Sequence, residues 1–425
     1  MNIKRVLEMQ RALVRPDEED YALFSSYVSK IVAGLAKTCH TLRLKTDVFV
    51  GGSFAKGTVL KKQPYDVDIF VRFDLSYTDL SSLLEKIVTK TCKELGLKFE
   101  RVHGSRDYFQ IKRLNDERFI FEVIPVLKIR RPQDEQNVTD LSYFHVAYMK
   151  KKARGLEDEI RLAKSFCYAQ GVYGAESYIQ GFSGHALECL IVHYRSFEKM
   201  LRELSKAKET VVIDLARHYA HKNDVLINLN ASKLKSPIVL IDPTYKGRNA
   251  LAALSDETFM RFQKAARAFL QKPGLSFFVE KKLDSENLAK KAKKRKAELA
   301  HVAIVTNRQE GDIAGTKLKK FHYFLENKIQ EYFDLLEHHF IYGGGQKADI
   351  YLVLKSKKEI IMRGPPLNMI KHVRAFTRAH ARTFNKKGRV YARVPIRFSG
   401  AEFIKRLASD KEKIVEMGIT GLKIV

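Results

Sequence analysis

No uncharged stretch of this 425-residue chain is long enough to cross a membrane, and its start, Met1-Asn-Ile-Lys-Arg, has no apolar signal core. A membrane-spanning or signal-bearing protein is therefore not expected. Cysteine is scarce: Cys39, Cys92, Cys167 and Cys189 are scattered without Cys-x-x-Cys spacing. They read as reduced thiols of a cytoplasmic protein, and the spacing argues against zinc. No internal repeat is present. Acid is in short supply, with 49 Asp and Glu against 77 Lys and Arg, a net charge of +28. That surplus implies a polyanionic partner, and without an amphipathic anchor or lipidation motif nucleic acid is favoured over a membrane. What is present is ample core material. Hydrophobic residues make up 45% and charged residues 30%, the balance of a folded chain long enough for about two to four domains.

The most informative segment runs Gly51-Gly-Ser-Phe-Ala-Lys-Gly to Asp66-Val-Asp68. An apolar strand (Val48, Phe49, Val50) enters a Gly-Gly-Ser turn, and a second apolar stretch carries the two aspartates before Ile69-Phe70-Val71. Glycines let backbone N–H groups approach a phosphate, and Ser53 adds a hydroxyl. Asp66 and Asp68, two apart on a strand, share a face and can hold hard divalent cations together. Either half alone is commonplace; together they describe a phosphate cradle facing a metal-binding pair. In Arg118-Phe-Ile-Phe-Glu122-Val-Ile-Pro, alternation places Glu122 on one face with Ile120 and Ile124, a third carboxylate suited to two-metal phosphoryl chemistry.

Around these motifs the pattern predicts an α+β, multidomain chain. Pro16 and the acids Asp17 to Asp20 start a helix with an apolar face of Phe24, Val28, Ile31, Val32 and Leu35. A helix is expected from about Leu80 to Leu95, strands between Phe99 and Leu127, and mostly helices from Glu157 to Leu270. The basic run Lys281 to Lys296 reads as a linker or a helix lying along phosphates. A strand at His301 to Thr306 precedes a long helix carrying Leu318, Phe321, Leu325, Tyr332, Leu336 and Phe340 and ending at Gly343-Gly-Gly. Strands at Ile350 to Leu354 and Glu359 to Met362 lead to a helix after Pro365-Pro366. There Lys371, Arg374, Arg378 and Arg382 recur at helical spacing as a cationic stripe, with Ile370, Val373 and Thr377 on a packing face. Such a stripe suits the backbone of A-form RNA. Lys386, Lys387, Arg389 and Arg393 extend it.

Gly52-Ser53-Phe-Ala-Lys-Gly57, Asp66-Val-Asp68 and Phe121-Glu122-Val-Ile-Pro resemble the DNA polymerase beta-like nucleotidyltransferase superfamily. Further stretches resemble, within it, the archaeal-type (class I) CCA-adding tRNA nucleotidyltransferases. These are Arg161-Leu-Ala-Lys164-Ser-Phe, Gly171-Val-Tyr173-Gly-Ala-Glu, Gly181-Phe-Ser-Gly-His-Ala-Leu-Glu, Asp242-Pro, Arg248-Asn249 and Arg363-Gly-Pro-Pro. The resemblance covers almost the whole chain. It implies a polymerase beta-like palm as head (1–150), a helical neck (151–272), and an α/β body and tail that grip tRNA (273–425).

It further implies template-independent addition of C, C and A to the tRNA 3′ end from CTP and ATP. Asp66, Asp68 and Glu122 would hold Mg²⁺, although the family most often has Asp where Glu122 stands. Ser53 would contact the nucleotide phosphates. Lys56 stands where many members have Arg, keeping the charge without the bidentate fork. His145, Lys164 and Tyr173 match positions lining the triphosphate and ribose pocket, Arg248 one that reads the base edge, and the Arg363 region faces RNA. Expected partners are the acceptor stem and 3′ end of tRNA, CTP and ATP, with a homodimer as a candidate assembly and no membrane. The superfamily motifs alone also fit oligoadenylate synthetase-like and poly(A) polymerase-like enzymes. A non-enzymatic RNA-binding protein would have lost the carboxylates or the phosphate loop, and both are intact.

Overall fold

The computed structural model describes residues 2–62, 64–113 and 116–425, for 113, 116 and 117 the backbone alone. Gln63 of the opening motif, and Leu114 and Asn115 in the strand region, lie outside the described residues. The chain divides into two compact units, Met1–Lys281 and Lys282–Val425. Among the described residues no helix is long and apolar enough to cross a membrane.

The first unit begins with α1 (Ile3–Val14), absent from the sequence reading, which buries Val6, Leu7, Gln10 and Val14. Then α2 (Glu18–Thr41) carries Glu18, Glu19 and Asp20 in its first turn, at the positive end of its dipole. It buries Phe24, Val28, Ile31 and Leu35. Strands β1 (Thr46–Val50) and β2 (Tyr65–Phe73) flank the glycine turn, whose centre is the short helix α3 (Gly52–Ala55). Helix α4 (Leu80–Leu95) has the predicted bounds, set by the Asp79 side chain accepting from the Ser82 N–H and by Gly96 at φ +65°. With β3 (Lys98–Val102), β4 (Tyr108–Arg113) and β5 (Asp116–Leu127), the sheet order is β1-β2-β5-β4-β3, β2 and β5 being parallel.

One alternation decides where the chemistry sits. Tyr65, Val67, Ile69, Val71 and Phe73 of β2, and Phe119, Phe121 and Val123 of β5, pack into the same core as the apolar faces of α2 and α4. Period two then turns Asp66, Asp68 and Glu122 to the opposite face. A one-residue slip would bury all three acids, so the core fixes the register.

The rest of this unit holds α5 (Ser142–Lys152), α6 (Glu157–Ala169), α7 (Gly184–Tyr194), α8 (Phe197–Leu204), α9 (Lys222–Asn228) and α10 (Asp256–Gln271). Phe166, Phe182, Phe197, Phe262 and Phe269 form its buried aromatic centre. The segment expected to be mostly helical also contains a sheet of β6 (Val211–Asp214), β7 (Ile238–Asp242) and β8 (Tyr245–Asn249). Every residue of β7 is buried, and so short a continuous apolar run shows neither strand nor helix periodicity.

In the second unit the basic run forms α11 (Ser285–Lys294), which buries only Leu288 and Ala292. There follow β9 (Glu298–Val305), α12 (Asp312–Gln330), β10 (Phe333–Tyr342) and β11 (Lys347–Ser356). The long helix expected to run to Gly343 therefore stops at Gln330. Leu336 and Phe340 lie on β10, and Gly343-Gly-Gly is the turn into its antiparallel partner β11, not a helix cap. Next come β12 (Glu359–Pro366), α13 (Ile370–Ala379), β13 (Thr383–Lys386) and β14 (Arg389–Pro395), with strand order β12-β14-β13. Helices α14 (Gly400–Ser409) and α15 (Lys411–Glu416) precede β15 (Gly421–Ile424), which completes the sheet β10-β11-β9-β15.

Candidate active site

The parallel register places Asp68 beside Glu122 and Asp66 beside Ile120. All three carboxyls are pushed up. Burial, then the charge of Asp68, raises Asp66 from 3.8 to about 6, although the residue stands at the open side of the sheet. Burial, then Asp68, raises Glu122 from 4.5 to about 7, while the Gln110 amide, donating at 2.9 Å, opposes the shift. Burial raises Asp68 too, with Lys56 and Lys164 partly offsetting it. Among the described residues none of the three forms a salt bridge. Crowded carboxylates with no protein cation in contact are a fit for divalent metal, which takes hard oxygen ligands. Glu122, one methylene longer than Asp, stands directly beside Asp68.

The glycines have a steric reason to be there. A Cβ on Gly52 would lie 1.7 Å from Asp68 Oδ2, and its φ of +56° disfavours any other residue. A Cβ on Gly51 would lie 2.2 Å from the Phe70 ring. The Gly51 N–H donates to the Asp68 carbonyl at 2.8 Å, so turn and acid are locked together. Ser53 is half-buried in the first turn of α3, beside them.

Behind the turn lies a buried charge cluster. Glu188 of α7 accepts from Lys56 Nζ at 2.6 Å and from Lys164 Nζ at 3.1 Å, and Lys164 also donates to Thr58 Oγ1 at 3.1 Å. Burial alone would raise the Glu188 carboxyl, but the two lysines hold it down to about 2. Burial lowers Lys164 in turn, with Glu188 opposing. Lys56 and Lys164 are thus brought together on Glu188, a partner that the sequence reading did not assign. Tyr173 stacks on Tyr168 at 3.9 Å, and Lys62 Nζ lies 4.0 Å from the Tyr168 ring centre.

His145 and Arg248 converge on a second unassigned residue, Asp242 at the end of β7. His145 Nε2 is 2.7 Å from Asp242 Oδ2, which Arg248 also reaches, and Oδ1 accepts from the Thr244 N–H and Oγ1. Burial would raise this carboxyl, yet its hydrogen bond to His145 and the charge of Arg248 help to hold it well below the usual range. His185 stacks on His145 at 3.9 Å and is kept neutral by burial. Both missed acids lie in stretches that carry the resemblance, Gly181 to Glu188 and Asp242-Pro. That was their only signal.

In the second unit, Lys371, Arg374 and Arg378 are exposed on α13, and Arg363 is exposed on β12. Arg382 falls beyond the end of α13, where its carbonyl accepts from the Arg393 N–H, so it does not continue the helical stripe. The packing face also differs from expectation. Ile370 is 62% exposed and Thr377 is exposed, whereas Val373 and Phe376 are half-buried, Phe376 against Gly364.

Two family models match this chain: the nucleotidyltransferase domain over residues 32–133, and the second domain of tRNA nucleotidyltransferase over 158–279. The CCA-adding enzyme of Nanoarchaeum equitans is 40% identical over 244 residues, covering 57% of this chain. The chain spans 59% of that relative's length. The CCA-adding enzyme of Methanosarcina acetivorans is 28% identical over 377 residues, covering 85% of this chain and 78% of that protein. A solved structure of a cytoplasmic RNA terminal U-transferase superposes with a TM-score of 0.50 at 11% identity, covering 66% of this chain and 99% of that one, a likeness of fold.

Proposed function

We propose that this chain, which belongs to the archaeal-type (class I) tRNA nucleotidyltransferase family, adds C, C and A to the tRNA 3′ end without a template, from CTP and ATP, releasing pyrophosphate. The observation that carries this reading is the gathering of Asp66, Asp68 and Glu122 on one sheet face against the Gly51-Gly52-Ser53 turn. These carboxylates would hold divalent cations, taken to be Mg²⁺. Bound there, the metal would acidify the attacking 3′-hydroxyl and neutralise triphosphate and leaving-group charge.

The protein's own groups do the positioning. The Ser53 hydroxyl and the first turn of α3 offer donors to phosphate oxygens. Lys56 and Lys164 together exceed the single charge of Glu188, which leaves positive charge for the triphosphate. Tyr173, backed by Tyr168, gives the ribose a flat face and a hydroxyl. His145 and Arg248, oriented by Asp242, present donors to a base edge. Arg363, Lys371, Arg374 and Arg378, with Arg382 nearby, form the surface for the acceptor stem. The division into head (1–150), neck (151–272) and body and tail (273–425), a homodimeric assembly and a cytoplasmic location belong to the same proposal.

Asp66→Ala or Asp68→Ala should remove nucleotide incorporation and spare tRNA binding; normal turnover in either would contradict the assignment. Incubation with ATP alone separates the oligoadenylate synthetase-like reading. The proposal expects no 2′-5′ oligomers, and their formation would displace it.

A further inference from the structure

A cluster of side chains able to ligate a metal, to which the proposed function gives no role, sits in the second unit. His322 and Glu326 are one turn apart on α12, and His338 reaches them from β10. His322 Nε2 lies 3.0 Å from Glu326 Oε1, and His338 Nδ1 closes on the same oxygen. The three ligand atoms all lie within 4.8 Å of one another. Donors held about 2.0–2.1 Å from a tetrahedral zinc ion are separated by roughly 3.3 Å, so the set is near the right size before any rearrangement.

A second observation points the same way. The His322 side chain is fully buried, and neither of its ring nitrogens has a hydrogen-bond partner of acceptable geometry among the described residues. Leaving a buried imidazole unsatisfied is costly, and an ion on one of its nitrogens would offset part of that cost. Rings pack around the cluster: His338 lies 5.5 Å from His322 and Phe340 5.3 Å, with Tyr323 at 5.8 Å. One cation opposes a metal here. Lys319 Nζ is 4.8 Å from the Tyr323 ring centre and 4.9 Å from that of Phe340, and its charge disfavours a positive neighbour.

We propose that His322, Glu326 and His338 bind one borderline transition-metal ion of the Zn²⁺ class with an open fourth position, separately from the carboxylate site on β2 and β5. Two imidazoles and one carboxylate suit such an ion and suit Mg²⁺ poorly, whereas Asp66, Asp68 and Glu122 have the opposite preference. Zinc needs no cysteine here, and the ligand set joins a helix to a neighbouring strand, so the ion would clamp α12 onto β10.

The test uses the full chain, stripped with a chelator and titrated with Zn²⁺ against a chromophoric competitor in excess Mg²⁺. One equivalent should bind and raise the melting temperature. His338→Ala, at a partly exposed position, should weaken binding by more than the roughly 10–100-fold cost of losing an outer-shell partner. Lys319→Gln should tighten it, and Asp68→Asn should leave it unchanged. Co²⁺ added to the unmutated chain should give the visible absorption of a four-coordinate N/O site, a readout independent of any variant's folding. Absence of Zn²⁺ binding under excess Mg²⁺, or an isotherm that His338→Ala does not alter, would show that the triad is a hydrogen-bonded prop and overturn the proposal.

Discussion

Two sets of acids in the first unit have opposite electrostatics. Asp66, Asp68 and Glu122 have no protein cation in contact and are all pushed up. Glu188 and Asp242 are more deeply buried and are held down, because Lys56 and Lys164, or His145 and Arg248, meet them directly. Burial acts the same way on both sets, so partnership is what separates them. The unpartnered set is free to take a cation from outside, as the proposed function requires; the partnered set is already met by side chains of the protein. Acids near an active site therefore cannot be assigned by burial alone.

The largest expected effect sets the two against each other. Asp68→Asn removes a charge that the fold disfavours, so the metal-free protein should melt at the same or a higher temperature while incorporation is lost. Glu188→Gln leaves two lysines packed without their counter-charge and should destabilise the fold by about 3 kcal/mol or more. Calorimetry of both variants decides the matter, and equal destabilisation would erase the distinction. Gly52→Ala comes next. Its Cβ would push on Asp68 Oδ2, and a displacement of about 1 Å at a reacting group costs on the order of 100-fold in rate. Single-turnover kinetics would read the loss.

A smaller effect concerns charges that are neither buried nor paired in this way. Reversing Arg374 and Arg378 to Glu should weaken tRNA binding about uniformly across tRNA sequences and flatten the log–log salt slope by about 2. An unchanged slope would make α13 an ordinary solvated helix. Least in size is the pH dependence. A carboxyl raised in the folded state binds its proton more tightly there than in the unfolded chain. Its contribution to metal-free stability is therefore best below the ordinary values of 3.8 for Asp66 and 4.5 for Glu122, and declines as pH rises toward about 6 and 7. Metal must displace those protons, so its affinity should fall as pH drops from 8 through 7 to 6, with proton release on binding. Affinity independent of pH across that window would mean that the acids are already ionised without metal.

The first half of this site was legible because strand alternation, a glycine turn and a strong helix sit together in the sequence, from Val48 to Leu95. The second half was not. Glu188 is 132 residues from Lys56, and Asp242 is 97 from His145, so no local pattern could pair them. The polymerase-like palm was expected and is present, as is the α+β, multidomain character. Errors came where local patterns coincide. Leu336 and Phe340 fall four apart, as a helix requires, but non-local pairing with β11 makes that stretch a strand. Arg382 keeps helical spacing past Ala379, where the backbone has already turned to join β13 and β14. The scattered cysteines argued against zinc through thiolates, yet they say nothing of His322, Glu326 and His338, which only the fold brings together.

The most direct test of the whole account is to supply labelled CTP and ATP with a tRNA ending at its discriminator base and to sequence the tail that is added. The account predicts C, C and A in that order and then a stop. A run of A, a tail without C, or no tail while Asp66, Asp68 and Glu122 are intact would contradict it.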